Sequence, residues 1–571
     1  MIPIKAILHG IFACFISGLV IVSILTGCES ETSISGLRTS ATAPMPSVTA
    51  TFSPSITQTS PALLPTPLPS VTAQSVQRKT IWFSKAVPEG LRQKISLTSQ
   101  LMEVAQPGVT SIRLEPLKAA KISDTHWVYT LVMPFPSLVD EVQLSELQRA
   151  WSGEKLNIFE GHRLMVSAST QAAFEVLWGP ASSEGVEVVS ADQLLERAWS
   201  TRPAWALIPF EDLQPRWKVL RIDGLSPLDR GMQTDRYPLI VNFGWVDVDG
   251  KPIENAEPQL PTTNRDEQKM TVLLMTGTTA LVRGIALRME EMGVEYPAQQ
   301  IGSLLQSADL THISNEVPFD PKCPPAKPLR KEIRFCSSPS YIKLLKTVGA
   351  DIIELTGNHL NDWGGDVFRY TLNLYRQEGF SYFGGGYNQE DARKPLLIEN
   401  HGNRLAFIGC NPMGPAEDLA TETRPGAAAC NLDWMENEVH RLSKAGYLVI
   451  VTFQHFEVDD FKPQSQQRID MQRMASGQDG AVIVSGSQAH FPQSMTLISD
   501  HFVHYGLGNL FFDQMTGYNR QAFIDRHIFY EGRYLGTELI TIQLEDSAQP
   551  RLMTSEERAK LLKWIFPASG W

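Results

Sequence analysis

The sequence predicts an α/β fold in two parts, with the larger part at the C-terminal end. From residue 269 onward, short apolar runs alternate with amphipathic segments of about 10–15 residues, the pattern of βαβ units and a largely parallel sheet. Polar side chains follow several of these apolar runs directly. Ligands of parallel α/β folds bind at the carboxyl ends of the strands, so these side chains are candidates for a single site.

The composition argues against a nucleic-acid partner. The formal net charge is −12, and basic residues stand out only in short pairs such as Arg78-Lys79. Binding to a phosphate backbone needs clustered Lys and Arg. The apolar content of 43 % is ordinary for a protein with packed cores, so most of the chain is expected to fold.

Residues 1–27 predict a signal peptide for export. Lys5 precedes a long apolar run, which closes on Leu-Thr-Gly before Cys28. This ending resembles a bacterial lipoprotein signal, which implies cleavage before Cys28 and lipid on its thiol. The expected location is then the outer face of the bacterial cytoplasmic membrane. The alternative is an uncleaved membrane helix, because the apolar run is long enough to span a bilayer.

Residues 28–78 predict a disordered tether. Ser, Thr and Pro dominate this segment, and no charged residue occurs between Arg38 and Arg78. Such a composition cannot bury enough apolar surface to order itself, and frequent Pro favours extended chain. We expect a stalk that holds the folded part away from the membrane.

The folded part divides into two predicted domains. Residues 79–248 mix short strands and helices, and they weakly resemble an extracytoplasmic solute-binding domain. Residues 249–268 are polar and contain Pro, which is typical of a linker. Residues 269–571 carry the regular βαβ pattern and form the second domain.

Cysteine usage agrees with export. Cys323, Cys336, Cys410 and Cys430 lie in the folded part, and an even set in an exported chain suggests two disulfides. Pairing of sequence neighbours, Cys323 with Cys336 and Cys410 with Cys430, is the favoured prediction. Cross-pairing and free buried thiols are the alternatives. A zinc knuckle is disfavoured because no Cys-x-x-Cys occurs.

Residues with metal-binding or proton-transferring side chains recur at the predicted strand ends. Carboxylate, amide oxygen and imidazole together suit a divalent metal such as Mn, Fe or Zn. Any one of them could be an ordinary structural residue, but their joint occurrence at the ligand edge favours a site. The strand-end residues are Thr278, Glu316, Asn358, His359, His455, Gln488 and His490.

The same residues lie in motifs that resemble those of a known protein family. From about residue 271, the chain resembles the CapA-like poly-γ-glutamate capsule synthesis proteins. The resemblance implies a calcineurin-like metallophosphoesterase fold, an αββα sandwich. It rests on SNEVP at 314–318, GNHLNDWG at 357–364, GGG at 384–386, GSQAHFPQ at 486–493 and YGLGNLFFD at 505–513.

The resemblance also implies roles for individual residues. His359 would be the catalytic proton donor or an orienting group near a leaving oxygen, Asp362 would hold its imidazole, and Arg283 would clamp an anion. A structural alternative for Asp362 is that it caps the helix that follows. The implied metal ligands are Glu316, Asn358, His455 and His490.

Two departures from the family pattern bear on the number of metal ions. Thr278 stands where the family has an Asp, and Gln488 stands where it has a His. A neutral hydroxyl cannot replace a carboxylate charge, so we expect at most one metal ion, one rather than two, with no bound metal as the alternative and Gln488 at most a weak ligand. Glu457 could restore a carboxylate near the site.

The predicted function is synthesis, export or attachment of an anionic capsule polymer of the poly-γ-glutamate type. Expected partners are the membrane, an anionic polymer or phosphate-containing ligand, and membrane synthase or export proteins. One alternative is an extracytoplasmic metal-dependent phosphoesterase. The other is a catalytically inactive binding module with a degenerate metal site.

Overall fold

The structure is a computed structural model of the whole chain. It describes residues 79–108, 112–118, 125–254, 256–327, 333–455 and 458–571. The predicted signal peptide, lipidation site Cys28 and tether lie outside the described residues. None of the helices in these ranges is long and apolar enough to cross a membrane.

The N-terminal region is built around a mixed sheet. The strands of this region are β1 (Lys79–Phe83), β2 (Leu101–Glu103), β3 (Ile112–Leu117), β4 (Thr125–Pro134), β5 (Glu141–Val142), β6 (Leu164–Val166), β7 (Val186–Val188), β8 (Trp205–Pro209), β9 (Trp217–Val219), β10 (Arg221–Ile222) and β11 (Ile240–Val246). Its helices are α1 (Glu89–Gln93), α2 (Leu144–Trp151), α3 (Ala168–Trp178) and α4 (Leu194–Ser200). Within the described residues the mixed sheet has nine strands, in the order β2-β1-β3-β11-β4-β8-β6-β7 with β9 paired to β4, while β5 and β10 form a separate two-stranded sheet.

Large aromatic side chains fill the core of this region. Trp127, Trp151 and Trp205 are almost completely buried, and the Trp205 indole stacks on Phe159 with ring centroids 3.6 Å apart. Each such side chain buries a large apolar area, which is the main favourable term in folding.

The C-terminal region contains the remaining described strands and helices. The strands are β12 (Met270–Thr279), β13 (Leu310–Asn315), β14 (Ile352–Glu354), β15 (Ser381–Phe383), β16 (Gly385–Gly386), β17 (Leu396–Asn400), β18 (Asn403–Cys410), β19 (Gly426–Ala427), β20 (Leu448–Phe453), β21 (Ile483–Ser485), β22 (Met495–Ile498), β23 (His501–His504), β24 (Asn509–Phe511), β25 (Gln521–Tyr530), β26 (Arg533–Glu545) and β27 (Gln549–Leu552). The helices are α5 (Arg283–Met292), α6 (Gly302–Leu305), α7 (Ile342–Thr347), α8 (Gly365–Glu378), α9 (Gln389–Arg393), α10 (Leu432–Lys444), α11 (Ser465–Met474) and α12 (Ser555–Ala568).

Two sheets organise these elements. The described residues give the β12 sheet eight strands in the order β15-β14-β13-β12-β25-β26-β27, with β24 beside β12. The β20 sheet has six described strands in the order β17-β18-β20-β21-β23-β22. Strands β12 to β15 run parallel to one another, as do β18, β20, β21 and β23. The parallel ends of both sheets can therefore present side chains at an edge.

The two sheets pack face to face and helices cover their outer faces. Met275 of the β12 sheet and Ile450 of the β20 sheet belong to one buried cluster between the sheets. Helices α5, α7 and α8 pack on the β12 sheet, while α10 and α11 pack on the β20 sheet. This is an αββα sandwich, and it confirms the predicted α/β class and architecture.

The core of the N-terminal region continues into the β12 sheet. Met270 and Ile528 belong to the same buried cluster as Trp127. Residues predicted as a linker are also well fixed, because the Asn264 amide bonds both the N–H and the C=O of Val128, at 2.8 and 2.9 Å. The two described regions therefore share apolar and polar contacts.

Both favoured disulfides are present. Cys323 bonds Cys336 and Cys410 bonds Cys430. The prediction of near pairing is confirmed, and the alternatives of cross-pairing, free thiols and a zinc knuckle are wrong for these four residues.

Candidate functional site

The carboxyl ends of the two sheets border one cleft of about 610 Å³, which we call the strand-end cleft. Strands β13 and β14 of one sheet and β20 and β21 of the other end beside it. The predicted site residues on its wall are Arg283, Glu316, Asn358, His359, His455 and His490. Topology thus brings together side chains that are far apart in sequence.

Glycines let the strand ends approach each other closely. A Cβ at Gly357 would lie 2.8 Å from both Cα and the carbonyl oxygen of Glu316. A Cβ at Gly486 would lie 1.9 Å from the carbonyl oxygen of Tyr505. Both separations are far inside van der Waals contact, so any larger residue would push apart the segments that carry Glu316, Asn358 and His490.

Glu316 lies between two imidazoles. Its Oε1 is 3.9 Å from Nε2 of His359, and its Oε2 is 3.8 Å from Nε2 of His490. The Nδ1 atoms of both rings are engaged elsewhere, by Asp362 Oδ2 at 2.9 Å and by Asn509 Oδ1 at 2.7 Å. Such contacts orient an imidazole and define which nitrogen it presents to a site.

Asp362 holds His359 and also ties down a neighbouring loop. Its Oδ2 accepts the Phe335 N–H at 2.6 Å, and its backbone oxygen accepts from the Arg334 guanidinium at 2.7 and 2.9 Å. The alternative that Asp362 caps α8 is wrong, because the N-cap position of that helix is Gly364.

The three cleft imidazoles have different acidities. Burial lowers the pKa of His490, although the charge of Glu316 acts to raise it. Burial likewise lowers the pKa of His455, although the charge of Asp470 acts to raise it. Burial acts in the same direction on His359, but the hydrogen bond to Asp362 and the charges of Glu316 and Asp362 outweigh it and raise its pKa. His359 is therefore the imidazole best suited to carry a proton near neutral pH.

Asn358 and His455 approach the cleft from different sheets. The Gln454 amide N–H lies 3.5 Å from Asn358 Oδ1, a long contact at best. Asp470 Oδ2 is 3.4 Å from His455 Nε2, within ion-pair distance, but this imidazole nitrogen has no well-aligned hydrogen bond to any described residue.

Arg283 lines the cleft with its guanidinium already engaged. Its Nε donates to Asp513 Oδ1 at 3.0 Å, a second guanidinium nitrogen bonds the same oxygen, and the Gly284 N–H donates to Oδ2 at 2.7 Å. The guanidinium carbon is 4.7 Å from the Phe512 ring centroid and 5.4 Å from that of Phe335. The residue has a left-handed φ of 48°, a conformation that costs about 1–3 kcal/mol for a non-glycine. The surroundings therefore fix this cation in place.

The two departures from the family pattern lie beneath the cleft wall. Thr278 and Gln488 are fully buried, and the Gln488 amide donates to Ser314 Oγ at 2.6 Å. Gln488 Oε1 has no hydrogen-bond partner among the described residues. Glu457, predicted as a replacement carboxylate, lies outside the described residues.

The side chains of the strand-end cleft supply part of the ligand set that a single divalent ion needs. Glu316 Oε2 and His455 Nε2 are buried polar atoms without a hydrogen bond from the described residues. Two ligands about 2.1 Å from a tetrahedral ion are about 3.4 Å apart, close to the separations of Glu316 from the imidazoles. No three His, Cys, Asp or Glu side chains of the described chain form a ready metal-binding group. A neutral ligand such as Asn358 would have to take part.

Sequence reasoning missed the residues that hold the site in shape. Asn509 orients His490, and Asp513 fixes Arg283. Asn509 and Asp513 lie in the motif at 505–513, but the motif alone did not indicate what either residue does. Asp470 lies on α11, where nothing in the local pattern distinguishes it from a surface residue.

Comparisons with known proteins agree with the resemblance. Residues 272–514 match the family described as bacterial capsule synthesis protein PGA_cap. The chain is 24 % identical over 311 residues to the capsule biosynthesis protein CapA of Bacillus anthracis, covering 53 % of this chain and 74 % of that protein. It is 22 % identical over 247 residues to the PGA biosynthesis protein CapA of Bacillus subtilis strain 168, covering 43 % of this chain and 64 % of that protein.

Some solved structures also align with parts of the chain. A hypothetical protein from Thermus thermophilus aligns at 14 % identity and a TM-score of 0.29, covering 48 % of this chain and 100 % of that one. A 5'-nucleotidase precursor from the same organism aligns at 12 % identity and a TM-score of 0.30, covering 53 % and 59 %. An ABC-type phosphate transport receptor from Vibrio cholerae aligns at 15 % identity and a TM-score of 0.24, covering 31 % and 88 %.

The fold and the cleft define an α/β protein with an αββα sandwich and a histidine-containing site at its strand ends. Over residues 272–514 the chain is similar to the bacterial capsule synthesis proteins, the two CapA relatives among them.

Proposed function

We propose that the protein acts in the biosynthesis of a bacterial capsule, and that its polymer is an anionic one of the poly-γ-glutamate type. The family match over 272–514 and the two CapA relatives support a capsule role in general. The polymer type rests on the name of the Bacillus subtilis relative, PGA biosynthesis protein CapA, and on Arg283 in the strand-end cleft.

The proposal includes one bound divalent ion of Mn, Fe or Zn. Its ligands would be drawn from Glu316, Asn358, His455 and His490. The carrying observation is the position of Glu316 between two oriented imidazoles, with a buried Oε2 that accepts no hydrogen bond from the described residues. Such an ion would supply Lewis acidity toward an anionic group of the ligand.

The residues of the chain itself would do the remaining work. Arg283 is paired with Asp513, and the guanidinium N–H groups that this pairing leaves could donate to an anion on the cleft wall. His490 and His455 have lowered pKa values and are neutral near pH 7, the form in which imidazole binds a metal. His359 has a raised pKa and can hold a proton facing Glu316 through Nε2.

A second candidate function is metal-dependent hydrolysis of a phosphate ester. The His359–Asp362 pair favours it, because an imidazolium fixed by a carboxylate is a suitable proton donor to a leaving oxygen. A third candidate, binding without catalysis, is favoured by the buried Thr278 and Gln488, which supply no charge for a second ion. Hydrolysis of a generic phosphodiester that is lost in His359→Ala would select the second candidate over the third.

Polymer binding tests the proposed function. The full chain in neutral detergent is expected to bind poly-γ-glutamate saturably, and to ignore neutral dextran. Arg283→Met should weaken this binding by about tenfold or more, the loss expected for one charged contact. Arg288→Met is the matched control, because Arg288 lies on the same helix but is an exposed residue paired with Asp546 and Glu291. Equal binding of poly-γ-glutamate and dextran would contradict the proposal.

We further propose that the protein is anchored by lipid on Cys28, at the outer face of the cytoplasmic membrane, where membrane synthase or export proteins would be its partners. Cys28→Ser should then move the protein from the membrane fraction to the soluble exported fraction. Cys14→Ser lies within the predicted signal peptide and should leave the protein with the membrane. Retention of the Cys28→Ser protein in the membrane would contradict lipid anchoring.

A further inference from the structure

A second cleft of about 580 Å³ lies between the N-terminal region and the C-terminal sandwich, within one compact unit. We call it the interdomain cleft. One wall includes Asp140 and Lys218 of the N-terminal region. The other includes Leu539 of β26 and Arg558 of α12.

Two cations, one from each wall, share one carboxylate. Lys218 Nζ is 2.6 Å from Asp140 Oδ1. Arg558 donates to both oxygens of Asp140, at 2.8 and 3.0 Å. Asp140 therefore balances one of the two positive charges, and the pair of cations retains an excess of one.

The other charged residues of the interdomain cleft do not cancel this excess. Arg221 forms a bidentate pair with Asp229 at 2.7 and 2.8 Å, and Arg526 pairs with Glu538. Arg230, the remaining cation on the wall, pairs with Asp309. The excess is thus localised at Lys218 and Arg558, in a chain whose formal net charge is −12.

Both cations have more N–H groups than the described residues supply acceptors for. The Lys218 ammonium has three N–H groups, and the described residues supply two acceptors, Asp140 and the Ser137 carbonyl at 2.7 Å. The Arg558 guanidinium has five, and the described residues supply three contacts, two from Asp140 and one from the Leu539 carbonyl at 2.7 Å. Their side chains are 14 % and 16 % exposed, so an added anion would meet little competition from water.

Apolar side chains form much of the rest of the wall. They come from both regions of the protein, and they offer apolar surface beside the charged side chains of the same cleft. A volume of about 580 Å³ lies in the range of small-molecule sites, which also occur preferentially between domains. These side chains include Phe135, Val219, Leu304, Leu539, Ile540 and Phe566.

We propose that the interdomain cleft binds an amphipathic anion, a carboxylate or phosphate group on an apolar chain, with the anionic group held by Lys218 and Arg558. This site is separate from the strand-end cleft and does not depend on the proposed metal. The acidities agree with it: burial lowers the pKa of Lys218 to about 8 despite Asp140, so a further anion would stabilise its charged form.

Calorimetric titration of the full chain in neutral detergent tests the proposal with three short-chain probes. Hexanoate and hexyl phosphate distinguish a carboxylate ligand from a phosphate ligand, and saturable binding of either supports the site. Hexanol has the same chain without charge and should not bind measurably. Failure of both anions to bind, or equal binding of hexanol, would overturn the proposal.

Paired variants separate a ligand site from a structural ion-pair network. Lys218→Met should weaken binding of the anionic probe about tenfold or more. Asp140→Asn should strengthen it, because both cations lose their shared carboxylate; Asp140 is 46 % exposed and tolerates the change. Lys343→Met, which removes an exposed lysine paired with Glu295, should leave the affinity unchanged. Unchanged affinity in Lys218→Met, or weaker binding in Asp140→Asn with an unaltered melting temperature, would overturn the assignment.

Discussion

Glu316 Oε2 and His490 Nε2 face each other at 3.8 Å, although one residue follows a strand of the β12 sheet and the other follows a strand of the β20 sheet. The contact joins the two halves of the sandwich at the strand-end cleft. It is too long for a good hydrogen bond, and the carboxylate oxygen has no such partner among the described residues. A buried carboxylate placed in this way is suited to bind a cation between the two sheets.

Removal of the Asp362 charge should lower the pKa of His359. The hydrogen bond to Asp362 is the largest contribution that raises it against burial, so Asp362→Asn removes the charge while keeping the side-chain shape. NMR titration of the His359 ring in metal-free protein measures the change. Asp366→Asn, an exposed change in the first turn of α8, should leave the titration where it was. An unshifted His359 in Asp362→Asn would show that Asp362 does not tune this imidazole.

Asp418 should make stability fall as the pH rises from about 4 to neutrality. Burial and the charge of Asp362 raise its pKa from 3.8 to about 7. The folded state therefore holds a proton that the unfolded state releases, and stability declines between these two pH values. Asp418→Asn retains an acceptor for the Asn361 N–H and removes this loss.

The gain in unfolding free energy of Asp418→Asn should thus be small near pH 4 and reach roughly 2–4 kcal/mol above pH 7. Denaturant unfolding across this pH range measures it. Glu422→Gln, at an exposed position, is the control and should show no such dependence. A gain that is independent of pH would contradict a buried, protonated Asp418.

The Cys323–Cys336 disulfide should stabilise both the fold and the orientation of His359. It closes a loop between cysteines 13 residues apart, which contributes about 3 kcal/mol to the unfolding free energy in the chain-entropy model. Phe335, beside Cys336, donates its N–H to Asp362, so loss of the bond should also disturb the pKa of His359.

Replacement of Cys410 and Cys430 by Ser is the matched control for replacement of Cys323 and Cys336 by Ser. Cys410 and Cys430 are 20 residues apart, so loss of their disulfide should reduce the unfolding free energy by a similar amount, about 3 kcal/mol. Denaturant unfolding and NMR titration together separate the two effects. A shift of the His359 titration of equal size in both double variants would argue against the specific link through Asp362.

Restoring the family residues should create a second metal position. Thr278→Asp combined with Gln488→His supplies the carboxylate and imidazole that the described site lacks, so metal content should rise from about one to about two equivalents. Elemental analysis measures it, and the melting temperature checks that these buried changes are tolerated. Thr278→Ser, which adds no charge, is the control. A well-folded double variant that still binds one equivalent would show that other features limit occupancy.

Site residues that follow a predicted strand could be identified from the sequence. Glu316, Asn358, His359 and His490 directly follow apolar runs, so the rule that parallel sheets bind ligands at their carboxyl ends places them together. The disulfides could also be predicted, because each one joins cysteines that are neighbours in the sequence.

The supporting residues could not be placed in the same way. Asp470 reaches His455 from a helix, and Asp513 reaches Arg283 from a loop after β24. Those contacts depend on how helices and loops pack on the sheets, which no local pattern encodes. The shared core of the two regions, through Met270 and Ile528, is likewise a tertiary property that an apolar residue alone does not reveal.

Metal titration of the purified full chain tests the central claim most directly. The protein, prepared without chelator and loaded with Mn²⁺, Fe²⁺ or Zn²⁺, is predicted to bind about one equivalent. Glu316→Gln should abolish this binding, while the exposed Glu291→Gln should keep it. No bound metal in the wild-type protein, or one equivalent retained in Glu316→Gln, would contradict the assignment of the strand-end cleft as a metal site.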